Sequence, residues 1–125
     1  KVIPSLAGKL SANAVRVPTP NVSLAILKLN LNKVTSLEEI NETMREAALK
    51  GNLVNQINYQ VDPELVSTDI IGNNCCSVYD SKATIVTEDG EDIVLYIWYD
   101  NEFGYTKQVI RLAKLIAKVR RLTYY

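Results

Sequence analysis

Histidine is absent from this 125-residue sequence, which removes the usual general base at neutral pH and the commonest zinc ligand. Cysteine occurs twice, at the adjacent positions Cys75 and Cys76. A disulfide between neighbours closes a strained ring, and one pair does not make the framework of a small secreted domain. Reduced thiols in a cytoplasmic setting fit that usage, and no metal site is expected. The five glycines are scattered and form no Gly-x-Gly-x-x-Gly fingerprint for a dinucleotide. Charge of one sign is lacking too: 14 basic residues balance 14 acidic ones, so no nucleic-acid partner is expected. Apolar runs are short, the strongest being Ile93 to Tyr99, far below the ~20 residues that span a membrane. No membrane partner is expected.

What remains is a chain 47 % hydrophobic, enough for the core of one domain. Val2 to Leu10 reads as the end of a helix with Gly8 near its close, and Ala12 to Val17 as a short strand. Pro18 and Pro20 remove backbone donors and place the chain there at a crossing or a sheet edge. Val22 to Leu31 is a long strand whose apolar parity changes midway, from Val22, Leu24 and Ile26 to Leu27, Leu29 and Leu31. Either a bulge or a change in what covers the sheet accounts for the switch.

Ser36 to Lys50 is the clearest helix. Ser36 and Glu39 make a capping box, Leu37, Ile40, Met44, Ala47 and Ala48 an apolar stripe, and Gly51 a C-terminal stop. Leu53 to Gln60, Leu65 to Ile71, Ser77 to Val86 and Glu91 to Tyr99 read as strands, with a hairpin turn at Asp89-Gly90 joining the last two. A final helix runs from about Glu102 to Val119. Its stripe of Val109, Leu112, Ala113, Ile116 and Val119 is widened by Ile110, Leu115 and Ala117, so it must be buried on more than one side. Lys114, Lys118, Arg120 and Arg121 at its end complement the helix dipole. Strands gathered with few helices predict an α+β fold, a mixed, largely antiparallel sheet with helices on one face.

Two segments carry candidate chemistry. In Arg16-Val17-Pro18-Thr19-Pro20-Asn21-Val22-Ser23, a guanidinium stands before a proline-stiffened turn, where it fits phosphate oxygens or a structural ion pair. Thr19, Asn21 and Ser23 more simply stabilise the turn. In Trp98-Tyr99-Asp100-Asn101-Glu102-Phe103-Gly104-Tyr105, a strand gives way to a helix. Asp100 or Asn101 caps that helix, and a side-chain amide is also the complement of a carboxamide. Tyr105, one turn on, falls on the side of Asn101 and serves either the core or a ligand. Tyr99 and Glu102 support the strand and helix ends.

Together with Lys1-Val2-Ile3-Pro4-Ser5-Leu6-Ala7-Gly8-Lys9-Leu10, these two segments resemble the catalytic domain of phosphorylating glyceraldehyde-3-phosphate dehydrogenases. The likeness is looser from about Asn32 to Asp89. It implies that residues 1–125 are the C-terminal part of a catalytic domain and that the nucleotide-binding domain lies upstream. The implied parent reaction converts glyceraldehyde 3-phosphate, NAD and phosphate to 1,3-bisphosphoglycerate and NADH, in glycolysis, by a cytoplasmic homotetramer. A thiolate adds to the aldehyde, hydride passes to nicotinamide, and phosphate releases the acyl group.

By the same resemblance, Arg16 binds the substrate phosphate, while Asn101 and Tyr105 orient the nicotinamide. NADP stays open as an alternative to NAD, since the ribose-reading residue is upstream. No catalytic residue is expected within these residues. The family's nucleophile sits in a Ser-Cys-Thr-Thr-Asn-like segment absent here, and Cys75 and Cys76 occupy a His-Ser-Ser-like position instead. The chain alone is therefore expected to be inactive. The stretch Asn73 to Cys76 and the tail from Arg120 depart from the commonest pattern, which leaves the subfamily open. Erythrose-4-phosphate dehydrogenase shares the scaffold, but its members tend to replace Tyr99 and Phe103. A non-catalytic assembly module is the alternative of another class, and it requires neither Arg16 nor Asn101.

Overall fold

A computed structural model describes residues 3–119 of the chain. Five strands form one sheet: β1 (Ser23–Asn30), β2 (Ile57–Gln60), β3 (Ser77–Asp80), β4 (Ile85–Val86) and β5 (Asp92–Tyr99). Three α-helices accompany them: α1 (Leu37–Leu49), α2 (Ser67–Ile70) and α3 (Asn101–Ile116). The most apolar strand, β5, is central. β1 runs antiparallel along one side of it, while β3 and β4 share the other side end to end, both antiparallel. β2 lies outside β3 and parallel to it. The fold is α+β with a mixed, mostly antiparallel sheet, as the clustering of strands predicted.

The core is small, and the adjacent β3 residues Val78 and Tyr79 put it on both faces of the sheet, with Tyr79 on the side of α1. Ile70, Val78, Tyr79 and Ile93 are buried, each contributing about 1.5–3 kcal/mol by leaving water. The Tyr79 ring packs 5.5 Å from that of Tyr59, and its hydroxyl donates to Asn41 Oδ1 of α1 at 2.8 Å. Asp80 ends β3. Its carboxylate accepts the backbone N–H groups of Lys82 and Ala83 and the Trp98 indole N–H. That turn splits the single strand expected over Ser77 to Val86 into β3 and β4, so one sequence segment pairs with β5 twice.

Other expectations are corrected. Leu65 to Ile71 is not a strand: the Asp69 carboxylate reaches back to the Val66 N–H at 3.0 Å and starts the single helical turn of α2. Leu53 to Gln60 begins in a 3-10 turn, and only its second half is strand. Val2 to Leu10 holds a 3-10 turn, Pro4–Leu6, in place of a longer helix. Ala12 to Val17 pairs with no strand among the described residues, and both stretches are exposed wherever described. Without a surface to bury against, short helices and lone strands gain little.

No bulge interrupts β1. Its register with β5 is unbroken from Ser23↔Tyr99 to Asn30↔Asp92. Ile26 on one face and Leu27 on the other are 58 % and 43 % exposed. Val22 and Leu24 of the first half and Leu31 of the second are half-buried, so each half of the parity switch is covered only in part. Ahead of the strand, Val22 holds a φ of 80°, a strained conformation for a β-branched residue.

The caps follow the sequence closely. Ser36 Oγ accepts the Glu39 N–H at 3.2 Å, but the Glu39 carboxylate accepts from the Thr35 hydroxyl instead of closing the box. Gly51 takes a φ of 80° just past α1, the left-handed stop. The Asp89-Gly90 turn joins β4 to β5, and a Cβ on Gly90 would stand 2.5 Å from Thr35 O. No helix among the described residues is long and apolar enough to cross a membrane.

Candidate functional site

The end of β5 and the start of α3 meet at Asp100, which is 1 % exposed. Its Oδ1 accepts the N–H groups of Glu102 at 3.0 Å and Phe103 at 2.8 Å, capping α3. Its Oδ2 accepts the Gly72 N–H at 2.8 Å, tying the corner to the segment before β3. Burial alone would push this carboxyl up. The donors from Gly72, Phe103, the Asn21 side chain and Glu102 outweigh it and hold Asp100 below the ordinary carboxylate range.

Because Asp100 does the capping, Asn101 does not. It is the first residue of α3, exposed, and its Oδ1 accepts the Ser23 hydroxyl at 3.0 Å. Ser23 opens β1, directly opposite Tyr99 in the ladder. Asn101 and Tyr105 line one cleft of about 300 Å3 with Cys76, Tyr99, Asp100, Gly104 and Gln108. The Tyr105 ring is 72 % exposed, so it forms a wall of the cleft and not part of the core.

Two features hold α3 where the cleft needs it. A Cβ on Gly104 would stand 3.1 Å from Cys75 O and 3.4 Å from Cys76 Cα, so the first turn lies against the 75–76 backbone only because no side chain intervenes. Further along, the Arg111 guanidinium donates to Asn52 O at 3.1 Å, fastening the helix to the turn after α1.

Cys75 and Cys76 are both free thiols. Burial first, and the neighbouring Cys76 second, push the Cys75 thiol up, away from the thiolate a nucleophile needs. The Cys76 thiol donates to Gln56 O at 3.5 Å.

Arg16 lies in the exposed segment before β1, outside the cleft and outside the three salt bridges among the described residues. The structure thus brings Asn101 and Tyr105 together and leaves Arg16 apart from them. Of the helix-end cations, Lys114 sits in the last turn of α3, whereas Arg120 and Arg121 fall outside the described residues. Sequence reasoning assigned Asn21 and Ser23 to local turns. The spacing of 78 residues between Ser23 and Asn101 gave no signal, since only the β1–β5 pairing makes them neighbours. Gly72 and Cys76 were likewise missed because they come from another part of the chain, whereas Gln108, one turn beyond Tyr105 on α3, was within reach of helical spacing.

The family described as glyceraldehyde 3-phosphate dehydrogenase, C-terminal domain, matches residues 1–101. A glyceraldehyde-3-phosphate dehydrogenase-like protein of Pseudomonas aeruginosa (strain UCBPP-PA14) is 51 % identical over 119 residues, 95 % of this chain and 25 % of that protein. Glyceraldehyde-3-phosphate dehydrogenase 1 of Bacillus subtilis (strain 168) is 46 % identical over 94 % of the chain and 34 % of its own length. Glyceraldehyde-3-phosphate dehydrogenase 2 of Drosophila melanogaster is 48 % identical over 91 % and 33 % respectively. The chain thus spans 25 to 34 % of the length of these relatives. With most of its residues matched and its α+β sheet in place, the chain belongs to the glyceraldehyde 3-phosphate dehydrogenase family, within its C-terminal domain.

Proposed function

We propose that this chain supplies the C-terminal part of the catalytic domain of an NAD-dependent, phosphorylating glyceraldehyde-3-phosphate dehydrogenase, acting with a nucleotide-binding domain elsewhere in the protein. The carrying observation is the β5–α3 corner, where Asn101 and Tyr105 line one cleft while Asp100 takes over the capping. An amide beside an exposed aromatic ring suits a nicotinamide carboxamide and its ring. The residues present therefore fit the cofactor that the family implies. Bound there, nicotinamide would supply the hydride acceptor. Asn101 would fix which ring face meets the substrate, with Tyr105 as the wall behind it.

Arg16 would hold the phosphate of a small phosphorylated aldehyde, with the nucleophile and base contributed from outside these 125 residues. Tyr99 and Phe103 favour a triose over a tetrose substrate. A cytoplasmic homotetramer is the assembly in keeping with the family.

The test is cofactor binding by the full-length protein. Asn101→Ala should weaken NAD about 10- to 100-fold, the loss of a well-placed polar contact and its desolvated partner. Unchanged NAD affinity in that variant would remove Asn101 from the cofactor site and the proposal with it.

A further inference from the structure

We infer that Ser23 is a positioning residue for the cofactor site, setting which end of the Asn101 amide is offered to a ligand. The inference rests on the functional proposal above. A side-chain amide is nearly symmetric in shape but opposite in chemistry at its two ends, one accepting and the other donating. Left alone at an exposed helix start, Asn101 would sample both orientations.

The Ser23 hydroxyl removes that freedom by donating to Asn101 Oδ1 at 3.0 Å. Its own position is secure: Ser23 opens β1, and the ladder places it opposite Tyr99, two residues before Asn101. Ahead of it, the Asn21 side chain accepts the Val22 N–H at 2.7 Å and helps hold Val22 at its φ of 80°. The strained turn thus delivers the serine hydroxyl to the corner.

With Oδ1 turned to Ser23, Asn101 offers its Nδ2 end to a ligand, and that end can only donate. The cofactor is then recognised through an acceptor, the carbonyl oxygen of its carboxamide, and not through the carboxamide N–H2. Two consequences separate this role from a merely structural one. Ser23 should act only through Asn101, and the site should accept a cofactor that keeps the carbonyl but lacks the N–H2.

The experiment measures dissociation constants of NAD and of 3-acetylpyridine adenine dinucleotide by titration calorimetry on the full-length protein. Its variants are Ser23→Ala, Ser23→Thr, Asn101→Ala and the Ser23→Ala/Asn101→Ala double. Ser23→Ala should weaken both dinucleotides about 3- to 10-fold, the size of one net hydrogen bond. Ser23→Thr, which keeps the hydroxyl, should restore binding, and Ser23→Ala should add nothing in the Asn101→Ala background. Asn101→Ala should weaken both dinucleotides alike.

The inference is overturned if Ser23→Ala binds like wild type while Asn101→Ala does not, or if the serine effect persists undiminished without Asn101. It is overturned equally if Asn101→Ala weakens NAD and spares the acetylpyridine analogue, because the amide would then accept from the carboxamide. If Asn101→Ala weakens neither, the functional proposal itself fails.

Discussion

Replacing Asp100 by Asn keeps the side-chain shape and reverses one end of it. The capping oxygen can still accept Glu102 and Phe103, but the atom facing the Gly72 N–H, now 2.8 Å from a carboxylate oxygen, becomes a donor. Two donors then face each other in a site that is 1 % exposed. A hydrogen bond to a charged group contributes about 1.5–3 kcal/mol, and an orphaned buried donor costs a similar amount when its partner is lost. Losing the negative charge at the start of α3 adds about 0.3–1 kcal/mol.

Asp100→Asn should therefore loosen the corner by roughly 2–3 kcal/mol, and Asp100→Ala by about 1 kcal/mol more as the cap goes too. Hydrogen exchange of the full-length protein reads this directly. Amides of Gly72, Glu102 and Phe103 should exchange about 30- to 150-fold faster in Asp100→Asn at neutral pH, if opening is local.

The pH dependence has a definite sign. The folded-state pKa of Asp100 is depressed, so its stabilisation is complete above the unfolded value of about 3.9 and is lost as pH falls through the lower folded value. After correction for intrinsic rates, wild type and Asp100→Asn should converge in that acidic window and differ above it. Equal Gly72 exchange in the two proteins at neutral pH would refute the hub role of this carboxylate.

In the full-length protein, Arg16→Ala should lower kcat/KM for glyceraldehyde 3-phosphate by about 30- to 1000-fold, the loss of a charge-assisted phosphate contact. Unphosphorylated glyceraldehyde should be hardly affected, and equal losses on both would make Arg16 structural. The 125-residue chain alone should form no NADH and should self-associate, since Val109, Ile110, Leu112, Leu115 and Ile116 of α3 are 44 to 74 % exposed. Covering about 400 Å2 of such surface contributes about 10 kcal/mol before entropy costs. Light scattering that finds a clean 14.0 kDa monomer at high micromolar concentration would contradict this.

Local rules made several elements legible. The Ser36 cap, the Leu37-to-Ala48 stripe and Gly51 delimit α1 within a residue, and the short apolar run Ile93 to Tyr99 gives β5. These signals lie within a turn or two of the residues they govern. Where the outcome depended on distant partners, sequence reasoning failed. Asp80 reads as the middle of one long strand, but it ends β3, where Trp98 and the Lys82 and Ala83 amides claim its carboxylate. Leu65 to Ile71 has strand-like composition, but Asp69 closes a helical turn.

The corner motif was visible as a motif, including the choice between Asp100 and Asn101 as cap. Its closure by Gly72, by Ser23 and by the Cys75-Cys76 backbone against Gly104 was not, because each of those partners comes from another part of the chain. The widened apolar surface of α3 was read correctly as apolar, yet the described residues leave it uncovered.

The most direct test of the account is steady-state turnover by the full-length protein carrying this chain, supplied with glyceraldehyde 3-phosphate, NAD and inorganic phosphate. The account predicts NADH formation that depends on phosphate, with glyceraldehyde 3-phosphate preferred over erythrose 4-phosphate. A folded, NAD-binding preparation that forms no NADH from the triose phosphate, or forms it equally well without phosphate, would contradict it.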